Sequence, residues 1–199
     1  MAGNIEDWDF INIVIIGRGG LGVVTCAEII AEAAYLSGNF IDVHAYPSFG
    51  AERRGAPIQA FAKLSKKKKI WDRAQIENPE ILIVLDETVL NQTNASSLKD
   101  NGILIINTDK EPDNFVKKFN LSKEIHIIVA DINKLAVEKG LTIEGVPIVN
   151  TPILGLLSKS LTELNLENLS RVVQKRMSED LAKLNIELIE EGYKLAKIL

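Results

Sequence analysis

The chain has 199 residues, is 46% hydrophobic and carries a net charge of −4, with both signs interspersed along it. This is enough apolar material for one sizeable core, and the charge pattern excludes a disordered chain and argues against a nucleic-acid binder, which would carry a basic face. The single cysteine, Cys26, excludes an intrachain disulfide, and because a cluster takes about four thiolates it also excludes an iron–sulfur cluster held by this chain alone.

The polar, acidic start (1–9) has neither the basic nor the apolar region of a signal peptide. No apolar run approaches the ~20 residues of a membrane span, so a cytoplasmic location is expected. Residues 11–16 (INIVII) are dense in β-branched side chains and predict a strand buried on both faces. The run GRGGLG follows at 17–22. Residues 23–37 then carry apolar side chains at helical spacing, and Gly38 and Asn39 stop the helix. Alternation of Ile41, Val43 and Ala45 with Asp42 and His44 predicts a second strand. The opening therefore reads as a Rossmann-like βαβ unit.

Residues 46–57 have no helical period, are broken by Pro47, Gly50, Gly55 and Pro57, and predict a structured loop. Residues 58–64 alternate as a strand, the lysine run at 66–69 fits a solvated turn, and Ile70 and Trp71 suggest the start of a returning strand. Runs at 81–85, 103–106 and 126–130 predict three more buried strands, each followed by a helical or loop segment. That repetition argues for a three-layer α/β/α domain. From Thr151 the chain predicts helices over 153–161 and 166–173, the second with Asn165 as N-cap, and an amphipathic helix over 181–195. No linker precedes this tail, about 151–199, so 1–199 is expected to be a single domain with the tail packed on the sheet.

Gly17, Gly19 and Gly22 match the GxGxxG pattern after a strand and before a helix. There, backbone amides can hold a pyrophosphate and glycines allow close approach. Asp42 lies about twenty residues on, as a ribose-binding acid should, but near the start of its strand rather than the end. The alternative is that the glycines only make a tight turn and a close interface. Val23 and Val24 stand where a phosphate-binding P-loop needs Lys and Ser/Thr, so that reading fails. In the second constellation, YPSFGAERRGAP at 46–57, Arg53 and Arg54 either clamp a phosphate or carboxylate in fork geometry or pair with Glu52 and its neighbours on an ordered surface loop. Asp86 ends a strand as a helix N-cap, and Ser48 lacks the context of a hydrolase nucleophile. His44, beside the arginine loop, reads as a satisfied loop histidine, and His44 and His126 form no HxxH or HExxH pair for zinc.

The combination of GRGGLGVV (17–24), PSFGAERRGAP (47–57), Leu85-Asp86 and NTPILG (150–155) resembles the gamma subunit of pyruvate:ferredoxin oxidoreductase and of the related 2-oxoisovalerate enzyme, over nearly the whole chain. The resemblance implies assembly with alpha, beta and delta subunits. It also implies oxidative decarboxylation of a 2-oxoacid on thiamine diphosphate, electron transfer through iron–sulfur clusters to ferredoxin, and acyl transfer to coenzyme A. Thiamine diphosphate and the clusters would sit in the other subunits. By the resemblance, Gly17, Arg18, Gly19, Gly20 and Gly22, with Ser48, Phe49, Gly50, Glu52, Arg53 and Arg54, are interface, coenzyme A or thiamine diphosphate-vicinity positions, and no catalytic residue is implied. Leu21 stands where the family usually has Gln, and Cys26 where a small residue such as Ala is common. The loop pattern favours pyruvate over the indolepyruvate and 2-oxoglutarate types. The alternative from the glycine pattern is a self-sufficient NAD(P)-binding protein.

Overall fold

The computed structural model describes residues 8–48 and 53–199. Its strands are β1 (Phe10–Arg18), β2 (Asp42–Pro47), β3 (Pro57–Ser65), β4 (Ile81–Val84), β5 (Ile103–Asn107), β6 (His126–Ala130) and β9 (Lys197–Ile198), which form a seven-stranded sheet of order β2-β3-β1-β4-β5-β6-β9. A separate hairpin pairs β7 (Thr142–Ile143) with β8 (Val146–Pro147). The helices are α1 (Val23–Ser37), α2 (Gln92–Ser96), α3 (Asp113–Phe119), α4 (Ile132–Glu138), α5 (Leu154–Ser160), α6 (Leu166–Arg176) and α7 (Glu179–Leu195).

Period-two alternation in β1 explains the three layers. Ile11, Ile13 and Ile15 face a core shared with α1, α4, α5, α6 and α7. Val14 and Ile16 face the opposite core, where Leu82, Val84, Leu104 and Ile106 pack against Ala95 of α2 and Phe115 and Phe119 of α3. Being covered on both sides, β4 and β5 are wholly buried, which is why they read as unbroken apolar runs. The helical tail packs onto this sheet as expected, and Asn165 caps α6 by accepting from the Asn168 amide at 2.9 Å. α5 and α7 cross closely because glycines meet there. A Cβ on Gly155 would overlap the Ile189 carbonyl oxygen and lie 2.5 Å from the Tyr193 nitrogen, and one on Gly192 would lie 2.6 Å from the Pro152 carbonyl oxygen.

The structure refines the opening unit. β1 and β2 run parallel on either side of α1, but β3 lies between them, antiparallel to both, so the βαβ is split. The expected returning strand at Ile70 and Trp71 is absent. Ile70 is buried with its amide donating to Asp42 Oδ2 at 2.7 Å, while Trp71 projects into solvent. Two elements escaped the periodicity because each is only two residues per strand: the β7–β8 hairpin, and β9, which returns to the sheet beside β6.

Candidate functional site

From β1 the chain crosses through α1 toward β2 on one side, whereas from β4 it steps to β5 and β6 on the other. A reversal of this kind leaves a crevice at the carboxyl ends of the two strands. A cleft of about 570 Å³ lies there, lined by residues that include Arg18, Leu21, Arg54, Asp86, Ile143 and Val146. A second, of about 480 Å³, adjoins it through Leu21 and Asp86 and runs along the ends of β5 and β6.

The glycine loop forms the floor. Gly17 is small because a Cβ would lie 2.8 Å from Val23 Cγ2 and 3.2 Å from Leu85 Cβ. Gly22 precedes α1 at φ 73°, in the left-handed region, and the Asn150 amide lies so close over it that a Cβ has no room. Gly20 is also left-handed, at φ 99°. The decisive position is Gly19, where a Cβ would overlap the carbonyl oxygen of Arg53. Its amide donates to the Ala56 carbonyl and its carbonyl accepts from the Gly55 amide, both at 2.9 Å. In a dinucleotide site this glycine admits the pyrophosphate; here it admits the chain's own arginine segment.

Arg18 locks the same junction. Its Nε donates to Asp86 Oδ2 at 2.9 Å, Nη2 to Thr88 Oγ1 at 2.7 Å, and Nη1 to the Gly55 carbonyl at 2.9 Å. Asp86 in turn caps the 3-10 turn Glu87–Val89 by accepting from the Thr88 amide at 2.9 Å, so the expected N-cap role holds. Partial burial works to raise the Asp86 pKa, but hydrogen bonds from Thr88 and Arg18 outweigh it and hold the carboxyl below its ordinary value. Arg18 is thus a structural tie between three segments.

The two arginines of the second motif part company. Arg54 Nη2 donates to Glu144 Oε2 at 2.6 Å, on the turn of the β7–β8 hairpin. Arg53 is exposed, and among the described residues its guanidinium has no hydrogen-bond or ion-pair partner. The Ser48 amide donates to the Gln59 carbonyl at 3.0 Å and closes the base of the loop. Phe49, Gly50 and Glu52 lie outside the described residues. The motifs far apart in sequence, 17–22 and 53–56, therefore form one unit. The hairpin, which sequence reasoning missed, adds the exposed Ile143 and Val146, a cross-strand pair lining the cleft. Glu144 and Gly145 both have positive φ, and a Glu-Gly pair between β-branched residues was the available signal.

Other expectations separate from this cleft. Asp42 pairs in register with Ser65, which pairs with Phe10, so it sits at the far end of β1, roughly 26 Å from the glycine loop by strand rise. It serves Ile70 rather than a ribose. His44 lies within β2 rather than in the loop. Its Nδ1 is buried without a hydrogen-bond partner and its Nε2 is 3.5 Å from Asp42 Oδ1, so it is not the satisfied loop histidine expected. Cys26 is fully buried in α1, and burial pushes its thiol up to about 12, which makes it inert. Among the described residues no group of His, Cys, Asp and Glu is arranged to hold a metal ion, and no helix is long and apolar enough to cross a membrane.

The profile described as pyruvate ferredoxin/flavodoxin oxidoreductase matches residues 12–195. The chain belongs to this family. It is 37% identical over 183 residues to the pyruvate/ketoisovalerate oxidoreductases common subunit gamma of Pyrococcus furiosus, covering 92% of this chain and 95% of that one. It is 39% identical to pyruvate synthase subunit PorC of Methanosarcina barkeri, over 81% and 84% of the two chains. The crystal structure of the pyruvate oxidoreductase subunit PORC of Thermotoga maritima superposes with a TM-score of 0.80 at 30% identity, covering 96% of this chain and 99% of that one. The likeness therefore spans the sheet, the cleft and the helical tail together, and the relatives are gamma-type subunits of multi-subunit oxidoreductases.

Proposed function

We propose that this chain is the gamma subunit of a pyruvate or 2-oxoisovalerate:ferredoxin oxidoreductase. In it 1–199 acts as one domain beside alpha, beta and delta subunits, in the cytoplasm. The observation that carries the reading is the occupation of the glycine cradle by the arginine segment. It weighs against a self-sufficient NAD(P) site and turns the loop pair into a rigid platform with Arg53 facing outward. An unpaired guanidinium held on a pinned backbone suits a carboxylate or phosphate, and we assign Arg53 and Arg54 to contacts with a neighbouring subunit or with the phosphates of coenzyme A. One cysteine, inert by burial, fits a chain that leaves the iron–sulfur clusters to other subunits, and thiamine diphosphate likewise belongs to them in this reading. Thiamine diphosphate supplies the decarboxylation chemistry when bound; this chain's residues orient and join.

The test is an anaerobic pull-down of the tagged chain from its native cells, assayed for thiamine diphosphate, iron, and pyruvate- or 2-oxoisovalerate-dependent viologen reduction with coenzyme A. Co-elution of other subunits with that activity is expected. A chain eluting alone while those subunits are expressed and intact would overturn the proposal, and tight NAD(P) binding by that lone chain would restore the other reading.

A further inference from the structure

The β7–β8 hairpin walls the cleft of about 570 Å³ beside the glycine platform, and its attachment is uneven. At its base Leu141 and Val149 are buried, the Leu141 amide donates to the Ala136 carbonyl at 2.8 Å, and the Ile148 amide donates to the Leu141 carbonyl at 3.0 Å. Beyond that base, residues 142–146 are all exposed. A two-stranded hairpin alone is marginal in water, and this one has two residues in each strand. Gly140, Glu144 and Gly145 have φ of 73°, 50° and 79°. A Cβ on either glycine would meet nothing within 4 Å, so backbone conformation rather than packing sets the turn and its approach. Among the described residues one polar contact joins the exposed stretch to the platform. Arg54 Nη2 donates to Glu144 Oε2 at 2.6 Å, with the two side chains 75% and 68% exposed.

Two cations line the cleft, and they are held differently. Arg18 is fixed by Asp86, Thr88 and the Gly55 carbonyl, whereas among the described residues the Arg54 guanidinium is held by Glu144 alone. The Arg54 backbone is bridged to Gly19, so its guanidinium can change partner without moving the platform. An exposed ion pair with a single contact is weak in water and readily exchanged. A carboxylate from outside gains nothing by that exchange, because Glu144 already offers the same group from the same chain. A phosphate carries more charge and accepts two parallel bonds from a guanidinium, so it displaces the carboxylate. We propose that the hairpin is a gate over the cleft and that Glu144 is its latch. The carboxylate holds Arg54 until a phosphate group of a small molecule takes the guanidinium, and the hairpin, having lost the one tie at its tip, opens the cleft. Leu21, Ile143, Val146 and Ile148 then offer an apolar wall to the rest of that molecule. This rests on the phosphate assignment of Arg54 made above and adds to it a positioning residue, Glu144, and a moving wall. By linkage, whatever opens the latch must also tighten binding of the anion.

The experiment follows hydrogen exchange over 141–148 in the purified full chain, with and without inorganic pyrophosphate, in the parent, Glu144→Gln and Arg54→Ala. Without anion, exchange in both variants should be roughly two- to fivefold faster than in the parent, the population factor of an exposed ion pair. Pyrophosphate should bring the parent to the Glu144→Gln rate and leave Glu144→Gln unchanged. It should bind Glu144→Gln roughly two- to fivefold more tightly than the parent, because no carboxylate competes, and Arg54→Ala hardly at all. Acetate at the same ionic strength should do none of this. Both side chains lie largely in water, so the thermal midpoints should match and the faster exchange reports the hairpin alone. Exchange that Glu144→Gln leaves unchanged or that pyrophosphate slows overturns the latch, as does equal pyrophosphate affinity in the parent and Glu144→Gln, or acetate acting as pyrophosphate does. Binding that survives Arg54→Ala, or no binding at all, overturns the phosphate assignment of Arg54 and the proposal with it. The two failures are distinguishable, because the exchange of Glu144→Gln without anion reads the latch and the loss of binding in Arg54→Ala reads the assignment.

Discussion

Gly19 carries more of the site than any charged residue in it. Replacing it by alanine sets a methyl group on the Arg53 carbonyl oxygen, where backbone rather than a flexible side chain must yield. Gly19→Ala is expected to cost about 1–3 kcal/mol, the range for strained or overpacked positions, read as a lower urea midpoint, and to raise hydrogen exchange at the Gly55 and Ala56 amides. Asp86 gives a pH-dependent counterpart. Its folded pKa lies below the ordinary 3.8, so the stability it contributes is present above that value and is lost as pH falls through the folded pKa. Asp86→Asn should therefore be less stable than the parent at pH 7 by about 1 kcal/mol. The gap should close in unfolding curves taken below pH 3.8; a gap constant from pH 7 to 2.5 would refute the ion-pair account. Both motifs were legible in the sequence as motifs. Their union was not, because the bonds from Gly19 to Ala56 and Gly55 join segments more than thirty residues apart and leave no local signature.

At the scale of elements, periodicity marked every long helix and every buried strand, because covered sheets and amphipathic helices write their environment into residue spacing. It was silent where pairing is short or the environment mixed. Ile70 and Trp71 read as a strand start because two large apolar residues stand together after a polar run. In the fold the Ile70 amide goes to the Asp42 side chain rather than to a neighbouring strand, and the Tyr46 hydroxyl holds the Ala74 carbonyl further on. The insertion of β3 between β1 and β2 was equally invisible, since alternation records which face is buried and not which neighbour is paired. The α5–α7 crossing was half legible: Gly155 belongs to the recognisable NTPILG run, but its purpose emerges only when Ile189 and Tyr193 arrive from the tail. Gly155→Ala should force the two helices apart and lower stability by about 1–3 kcal/mol. Gly155→Ser should do no better, whereas an unchanged thermal midpoint in either variant would show that the crossing relaxes freely.

For the whole molecule, the chain's expected behaviour is that of a part. Purified alone it should give no 2-oxoacid-dependent viologen reduction. Arg53→Glu should leave its urea midpoint unchanged, since among the described residues the guanidinium holds nothing. In the reconstituted complex the same variant should weaken assembly or raise the coenzyme A KM by roughly tenfold, the effect of losing one charge-assisted contact; unchanged values for both would remove Arg53 from the proposed role. Family membership was readable from the loop motif, whereas the hairpin wall of the cleft left only the Glu144-Gly145 pair as its trace in the sequence.

The seating of residues 53–56 on Gly19 also bears on how freely this protein can change. A nucleotide fold of this shape is usually retargeted by swapping one acid at a strand end. Here the nucleotide's berth is taken by a length of backbone whose two ends belong to paired strands, β2 and β3. No point substitution vacates it. An attempt to graft NAD(P) binding onto the chain would have to remove the β2–β3 connection, and with it Arg53 and Arg54, so old and new uses of the cradle exclude one another.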